Sequence, residues 1–356
     1  MLRQLILYSF LFVAAATADR VEVMCNGVAL SEAYNEILKK NHVDATVFDT
    51  DTDQYGKGFK KSQSRLGKIL RKFGLDYPKS IELKKDLRKI IFMNIPHYFY
   101  RDNHVAKLPK EKTVLFMWEP EIRLRKMYYP KLHDCFSKIY TWNDDLVDNK
   151  KFFKFFYPVL VPMISDVVSF EEKKFCTLVS GHVPNLQKYP RKYPQELYSH
   201  RVRAIEFFEK VEEDGFEFYG RNWDQNGDRT AYKSYRGPVT DKINVIKNYK
   251  FSICYENCCD VPGYISEKIF DCFAAGNVPV YWGPANVTDF IPADCFIDRR
   301  KFETLDELYL YLKTMTKEEY QGYLDRIQSY LQSEKAQLFS PAHFEKIFLE
   351  AIDVSI

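Results

Sequence analysis

Residues Tyr249–Gly283 read YKFSICYENCCDVPGYISEKIFDCFAAGNVPVYWG. Phe251–Tyr255 is a short apolar run of the kind that forms a buried strand. Glu256 and Asn257 follow at its carboxyl end, where open α/β sheets bind their ligands. A loop with Pro262-Gly263 comes next. Ile265, Ile269 and Phe273 then fall on one helical face, which predicts a helix over Tyr264–Ala275 closed by Gly276. Val278–Tyr281 is a second strand. This is a strand–loop–helix–strand unit, the building block of a parallel sheet covered by helices. The first helical turn holds Ser266, Glu267 and Lys268. Unsatisfied N–H groups and the positive dipole end favour an anion there, so Glu267 suits the position and Lys268 opposes it. A bound phosphate is one reason for such a lysine; a solvated surface position is the other.

The same alternation extends outward. Arg20–Met24, Ala45–Phe48, Ile90–Met93, Val114–Met117, Lys138–Trp142, Phe175–Val179 and Phe216–Tyr219 read as further strands, and Glu196–Glu212 as a helix. The total exceeds one ordinary sheet. Pro158 and Pro162, then the charged run Glu171–Lys174, mark a seam. The pattern predicts an α/β protein with two domains facing a cleft: an N-terminal, acceptor-side domain over 19–172, a second over 173–335, and a C-terminal helix over 336–356.

The chain has 356 residues, 46% of them hydrophobic, and a net charge of +3. That supplies two cores of ordinary size and lacks the basic excess of a general nucleic-acid binder, so no nucleic acid is expected as partner. Arg3, the apolar run Leu5–Ala16 and the small residues Ala16-Thr17-Ala18 read as a signal peptide or signal anchor over 1–18. Membrane association through the N-terminus stays open, because the run is short for a span. The eight cysteines include no CxxC pair, so free thiols and one or two disulfides both remain open. Asn286-Val287-Thr288 is a glycosylation sequon.

The string YENCCDVPGYISEKIFDCFAAGNVPVYWG resembles the signature of the α-1,3-fucosyltransferase family, glycosyltransferase family 10. The likeness continues through Phe290-Ile291-Pro292 and Cys295-Phe296-Ile297 to Phe302. It implies two Rossmann-like domains of GT-B type and GDP-fucose as donor. Carried over residue by residue, Asn257, Tyr264, Glu267 and Lys268 match donor-contacting positions, with Lys268 on the diphosphate and Glu267 on ribose or fucose hydroxyls. An arginine early in the preceding helix is aimed at the diphosphate; Arg201 fits by its offset from Ile205 and Phe208, with Arg203 as fallback. The family's catalytic carboxylate lies in a short segment matching Trp118-Glu119-Pro120-Glu121, so Glu119 is expected as general base and Glu121 as second choice. His97, His104, His133 and His182 are weaker candidates without visible partners.

The resemblance therefore implies a single inverting displacement of fucose from GDP-fucose onto a GlcNAc or glucose hydroxyl of a glycan or glycoconjugate. No metal cofactor is expected as a requirement, with stimulation by divalent ions left open. The expected location is the secretory pathway or Golgi in a eukaryote, and an exported or membrane-associated site in a bacterium. Three rivals remain. One is a related enzyme with another nucleotide-sugar donor. Another is a non-catalytic carbohydrate- or nucleotide-binding protein of the same fold. The third is a manganese enzyme using Asp49-Thr50-Asp51-Thr52-Asp53 after the strand at Ala45–Phe48. Lys268→Ala is expected to spare folding, since the sequence proposes no core contact for it.

Overall fold

A computed structural model describes residues 20–25, 28–41, 43, 45–49, 87–95, 105–183, 189–223 and 232–354. Every strand anticipated from the apolar runs forms. In the N-terminal half these are β1 (Arg20–Cys25), β2 (Ala45–Asp49), β3 (Leu87–Met93), β4 (Thr113–Met117) and β5 (Lys138–Thr141), joined by a short β6 (Phe152–Lys154) that no sequence signal marked. They order as β2-β1-β3-β4-β5-β6 with every pairing parallel. The second sheet holds β7 (Lys174–Val179), β8 (Phe216–Tyr219), β9 (Tyr249–Tyr255), β10 (Val278–Trp282) and β11 (Ile297–Asp298), in the order β11-β10-β9-β7-β8, again all parallel. Two parallel sheets with flanking helices give the expected two-domain α/β architecture.

Parallel strands are covered on both faces, so they read as continuous apolar runs rather than alternating ones. Phe251, Ile253, Val278 and Val280 are all buried in one core with Ile269 and Phe273 of the covering helix. Each such side chain contributes roughly 1.5–3 kcal/mol on burial. The helices that matter below are α1 (Val28–Lys40), α2 (Glu121–Leu124), α3 (Tyr198–Val211), α4 (Lys242–Ile246), α5 (Glu267–Ala274) and α6 (Pro341–Ala351).

The chain divides into two compact units. Of the described residues, one unit holds Phe156–Phe344 and the other those from Arg20 to Phe155 together with Glu345 onward. The proline-containing segment after Phe155 belongs to the C-terminal unit by its backbone hydrogen bonds: Val159 and Leu160 donate to the carbonyl of Phe339, and Ile164 to that of Ala274. The tail, in turn, is built into the N-terminal unit. Phe348 stacks on Tyr34 with ring centroids 5.5 Å apart and lies 6.1 Å from Phe116. Glu345 pairs with Lys40, and Asp353 with Lys89 and Lys138. The signal segment over 1–18, Thr50–Asp53, His97 and His104 lie outside the described residues.

Candidate functional site: a cation-bearing pocket in the C-terminal unit

At the end of β9 the amide of Glu256 donates to the carbonyl of Trp282, 2.8 Å away, and the chain turns inward. The Glu256 carboxylate is completely buried. It accepts from the amide and hydroxyl of Ser266, from Nζ of Lys268 at 2.9 Å, and from the Tyr281 hydroxyl. Ser266 stands at the N-cap position of α5, but its hydroxyl is spent on Glu256 rather than on capping the helix. An internal carboxylate therefore sits at the start of α5, where the sequence reading placed a phosphate or solvent. Lys268 has its local reason: it neutralises Glu256. The expectation that removing Lys268 would spare folding is overturned by this pair, because the mutation would strand a buried charge.

Among the described residues Lys268 still has a proton to offer. Its Nζ donates to Glu256 and, at 2.9 Å, to Ser266 Oγ, which uses two of three donors. Arg201, buried in the first turn of α3, donates from Nη1 to Ser180 Oγ and from Nη2 to the Tyr255 carbonyl and Asn257 Oδ1. Those three bonds leave two of its five N–H groups uncommitted among the described residues. Asn257 passes the chain on, donating from Nδ2 to the Tyr264 hydroxyl at 3.0 Å. Arg201, Asn257 and Tyr264, three separate sequence predictions, are thus one connected network. Gly220 makes room for it. Its φ is +153°, and a Cβ there would lie 1.8 Å from the Ser180 carbonyl oxygen. Only glycine lets the end of β8 pass so close to the residue that holds Arg201.

A third cation joins them. Lys242 of α4, which no motif pointed to, lies 3.3 Å from both Glu267 Oε1 and Asp271 Oδ2. Desolvation opposes ionisation of Glu267, yet Lys268 and Lys242 hold its carboxyl down to about 2. Asp271 goes the other way: burial, with Glu267 beside it, pushes it up to about 6 against the pull of Lys242. Arg201, Lys242, Lys268 and Asp271 line an open pocket of about 400 Å³, with Ser180 and Ser252. The buried Ser252 hydroxyl has no hydrogen-bond partner among the described residues. Three cations meet the three carboxylates Glu256, Glu267 and Asp271, so formal charge nearly cancels. What the pocket offers an anion is directed N–H donors rather than net charge.

Residues 195–344 match the model described as glycosyltransferase family 10 (fucosyltransferase), C-terminal. This C-terminal segment, less than half of the chain, is thus similar to the C-terminal domain of glycosyltransferase family 10. Among curated proteins it resembles an α-(1,4)-fucosyltransferase of Arabidopsis thaliana, 40% identical over 70 residues, which is 20% of this chain and 17% of that one. It also resembles the α-(1,3)-fucosyltransferase FucT of Helicobacter pylori, 37% identical over 76 residues, 21% of this chain and 16% of that one. A third is the 4-galactosyl-N-acetylglucosaminide 3-α-L-fucosyltransferase 9 of Bos taurus, 42% identical over 83 residues, 22% of this chain and 23% of that one. The matches span about a fifth of these relatives. In fold, the whole chain resembles a crystal structure of α1,3-fucosyltransferase with GDP-fucose, at TM-score 0.55 and 15% identity over 98% of this chain and 95% of that one. An α-glucosyltransferase in complex with UDP and a 13-mer DNA reaches TM-score 0.54 at 11% identity, over 94% and 99%.

The N-terminal unit carries the two candidate bases. Glu119 sits just beyond β4, half-buried, with its amide bonded to Asn94 Oδ1 and its carbonyl accepting from the Tyr128 hydroxyl. Glu121 opens α2 from an exposed position, 3.9 Å from Arg125 one turn on. His133 is a structural group: its Nε2 meets the Met127 carbonyl at 2.8 Å, and burial lowers its pKa. His182 packs on the Trp223 ring. Asn143 closes its own turn by accepting from the Asp145 amide. Cys135, Cys176, Cys254, Cys258, Cys259, Cys272 and Cys295 are free thiols, and among the described residues no group of three or more His, Cys, Asp or Glu could hold a metal ion and no helix is long and apolar enough to cross a membrane. No motif in the sequence singles out Lys242, and Glu256, at a strand end where ligands are expected, is buried instead. Lys242 carries no local signal, since its partners lie 25 and 29 residues further along the chain, beyond β9. Glu256 had one: a carboxylate at a strand end followed by an S-E-K helix start, which is an internal partner for the lysine.

Proposed function

We propose that this chain is an inverting α-1,3-fucosyltransferase that moves L-fucose from GDP-fucose to a GlcNAc or glucose hydroxyl of a glycan. The observation that carries the reading is that Arg201, hydrogen-bonded to Asn257 and through it to Tyr264, and Lys268, beside Glu267, line one pocket inside the family-matched segment. The uncommitted N–H donors of Arg201 and Lys268 suit the diphosphate of the donor, and Glu267 suits its ribose or fucose hydroxyls. Glu119 takes the proton from the acceptor hydroxyl. The oxygen attacks the anomeric carbon while the bond to the diphosphate breaks, and configuration inverts. Negative charge grows on the leaving GDP. Preorganised donors aimed at it stabilise the transition state by about 3–4 kcal/mol each. The leaving charge is met by the directed N–H donors of Arg201 and Lys268, and the displacement as written uses no metal cofactor. The apolar run Leu5–Ala16 supports entry into the secretory pathway or export.

Thermal melts with nucleotides test the donor. GDP and GDP-fucose raise the melting temperature by mass action, and UDP-sugars leave it unchanged, with and without added Mn²⁺. Equal stabilisation by UDP-GlcNAc removes the fucose assignment. Binding of GDP-fucose without hydrolysis or transfer to any acceptor makes the protein a binding module instead.

A further inference from the structure

The loop bearing Glu119 is held by side chains from other elements. Asn94, the first residue after β3, has φ of +61°, in the left-handed region that asparagine tolerates and β-branched or bulky residues do not. Its own amide donates to the Phe116 carbonyl at 2.9 Å, which fixes it against the last residues of β4. In that conformation its Oδ1 accepts from two consecutive amides, Trp118 at 2.8 Å and Glu119 at 3.1 Å. The two carbonyls of the same dipeptide are held as well. The indole Nε1 of Trp142 donates to the Trp118 carbonyl, and the Tyr128 hydroxyl to the Glu119 carbonyl, both at 2.9 Å. All four backbone polar groups of Trp118-Glu119 are therefore bonded to side chains, two of them to the single Oδ1 of Asn94.

We propose that Asn94 is a positioning residue for the transfer reaction, whose side-chain carbonyl fixes the Trp118-Glu119 backbone and so sets where the Glu119 carboxylate points. The inference rests on the reading of Glu119 as the general base. A base must be held within a fraction of an ångström of the proton it removes, and a displacement of about 1 Å costs on the order of a hundredfold in rate. Strand ends do not supply that rigidity, because the ladder has stopped by Trp118. A bifurcated acceptor from the neighbouring strand does.

Two substitutions separate the carbonyl from the backbone shape. Asn94→Gly keeps the positive φ and deletes the acceptor. Asn94→Asp keeps both. Turnover is measured per folded molecule, counted by GDP titration, together with KM for the donor. Asn94→Gly is expected to lower kcat roughly ten- to hundredfold with the donor KM and GDP affinity unchanged, and Asn94→Asp to recover most of it. A role confined to stability would lower the melting temperature and the count of folded molecules while leaving kcat per folded molecule intact. That result overturns the proposal, as does an Asn94→Asp enzyme no better than Asn94→Gly. Glu119→Gln is measured alongside. Near-normal turnover there removes the base assignment and the proposal with it. Loss in Glu119→Gln beside a normal Asn94→Gly enzyme removes only the role of Asn94.

Discussion

Lys268 shows how one side chain can be read correctly in position and incompletely in purpose. A lysine against the dipole at a helix start asks for a negative partner, and that much was visible in the sequence. The partner found is Glu256, twelve residues earlier and completely buried. Which residues share a charge across a strand–loop–helix turn is a tertiary fact, so the sequence could call for an anion without saying that one is built in. Lys268→Ala is accordingly expected to destabilise the fold by about 3 kcal/mol, since it leaves Glu256 buried and unpaired. It should also lower turnover about a hundred- to a thousandfold. Pairing Lys268→Met with Glu256→Gln separates the two effects. The double variant is expected to regain most of the melting temperature and none of the turnover. Recovery of turnover would show that the amine serves Glu256 alone.

The elements were easier to read than their partners. Apolar runs of four or five residues marked the strands because parallel strands are buried on both faces. The short β6 and β11 passed unnoticed because pairs and triplets of residues carry no period. Helix α5 begins at Glu267 rather than Tyr264. Gly263 has φ of +82°, and Ser266 is extended, so Tyr264 and Ile265 turn inward as buried loop residues before the helix starts. Periodicity counts which residues are buried and cannot tell a helical turn from a loop that buries the same ones. Within α5, Glu267 and Asp271 share Lys242 one turn apart. With Asp271 pushed up to about 6, the folded chain keeps a proton that the unfolded chain has released between the ordinary aspartate range and that value. Its contribution therefore makes the fold less stable as pH rises through this interval, by on the order of 2–3 kcal/mol once both forms are ionised. Asp271→Asn removes that slope. Melting temperatures of the two proteins at about pH 4.5 and about pH 7 should diverge at the higher value, the variant melting higher; parallel curves would place Asp271 in the ordinary range.

For the whole molecule, a family signature covered the C-terminal unit and left the N-terminal one to pattern alone. The architecture of both could be anticipated, because alternation of strands and helices is a property of any stretch of chain. The candidate base rested on a four-residue segment, and the asparagine behind it on nothing, since Asn94 belongs to no motif and acts through its backbone angle and a contact to the next strand. The two units carry separate parts of the proposed chemistry, so they should separate in binding measurements. Glu119→Gln is expected to lose at least about a hundredfold in transfer while its GDP dissociation constant stays within about twofold of the unaltered chain, read by isothermal titration. If Glu121→Gln is inactive and Glu119→Gln is not, the base is two residues further along. The tail has its own consequence. Glu345–Ile356 supplies Phe348 and two acidic partners to the unit that the chain began with. On a ribosome the N-terminal unit must wait for Glu345–Ile356, while the residues between can close first. At ordinary elongation rates the wait from Phe155 to Glu345 is roughly 10–40 s. Throughout it, Phe116 of β4 and Tyr34 of α1 lack the ring that packs on them, which leaves apolar surface open on the nascent N-terminal half.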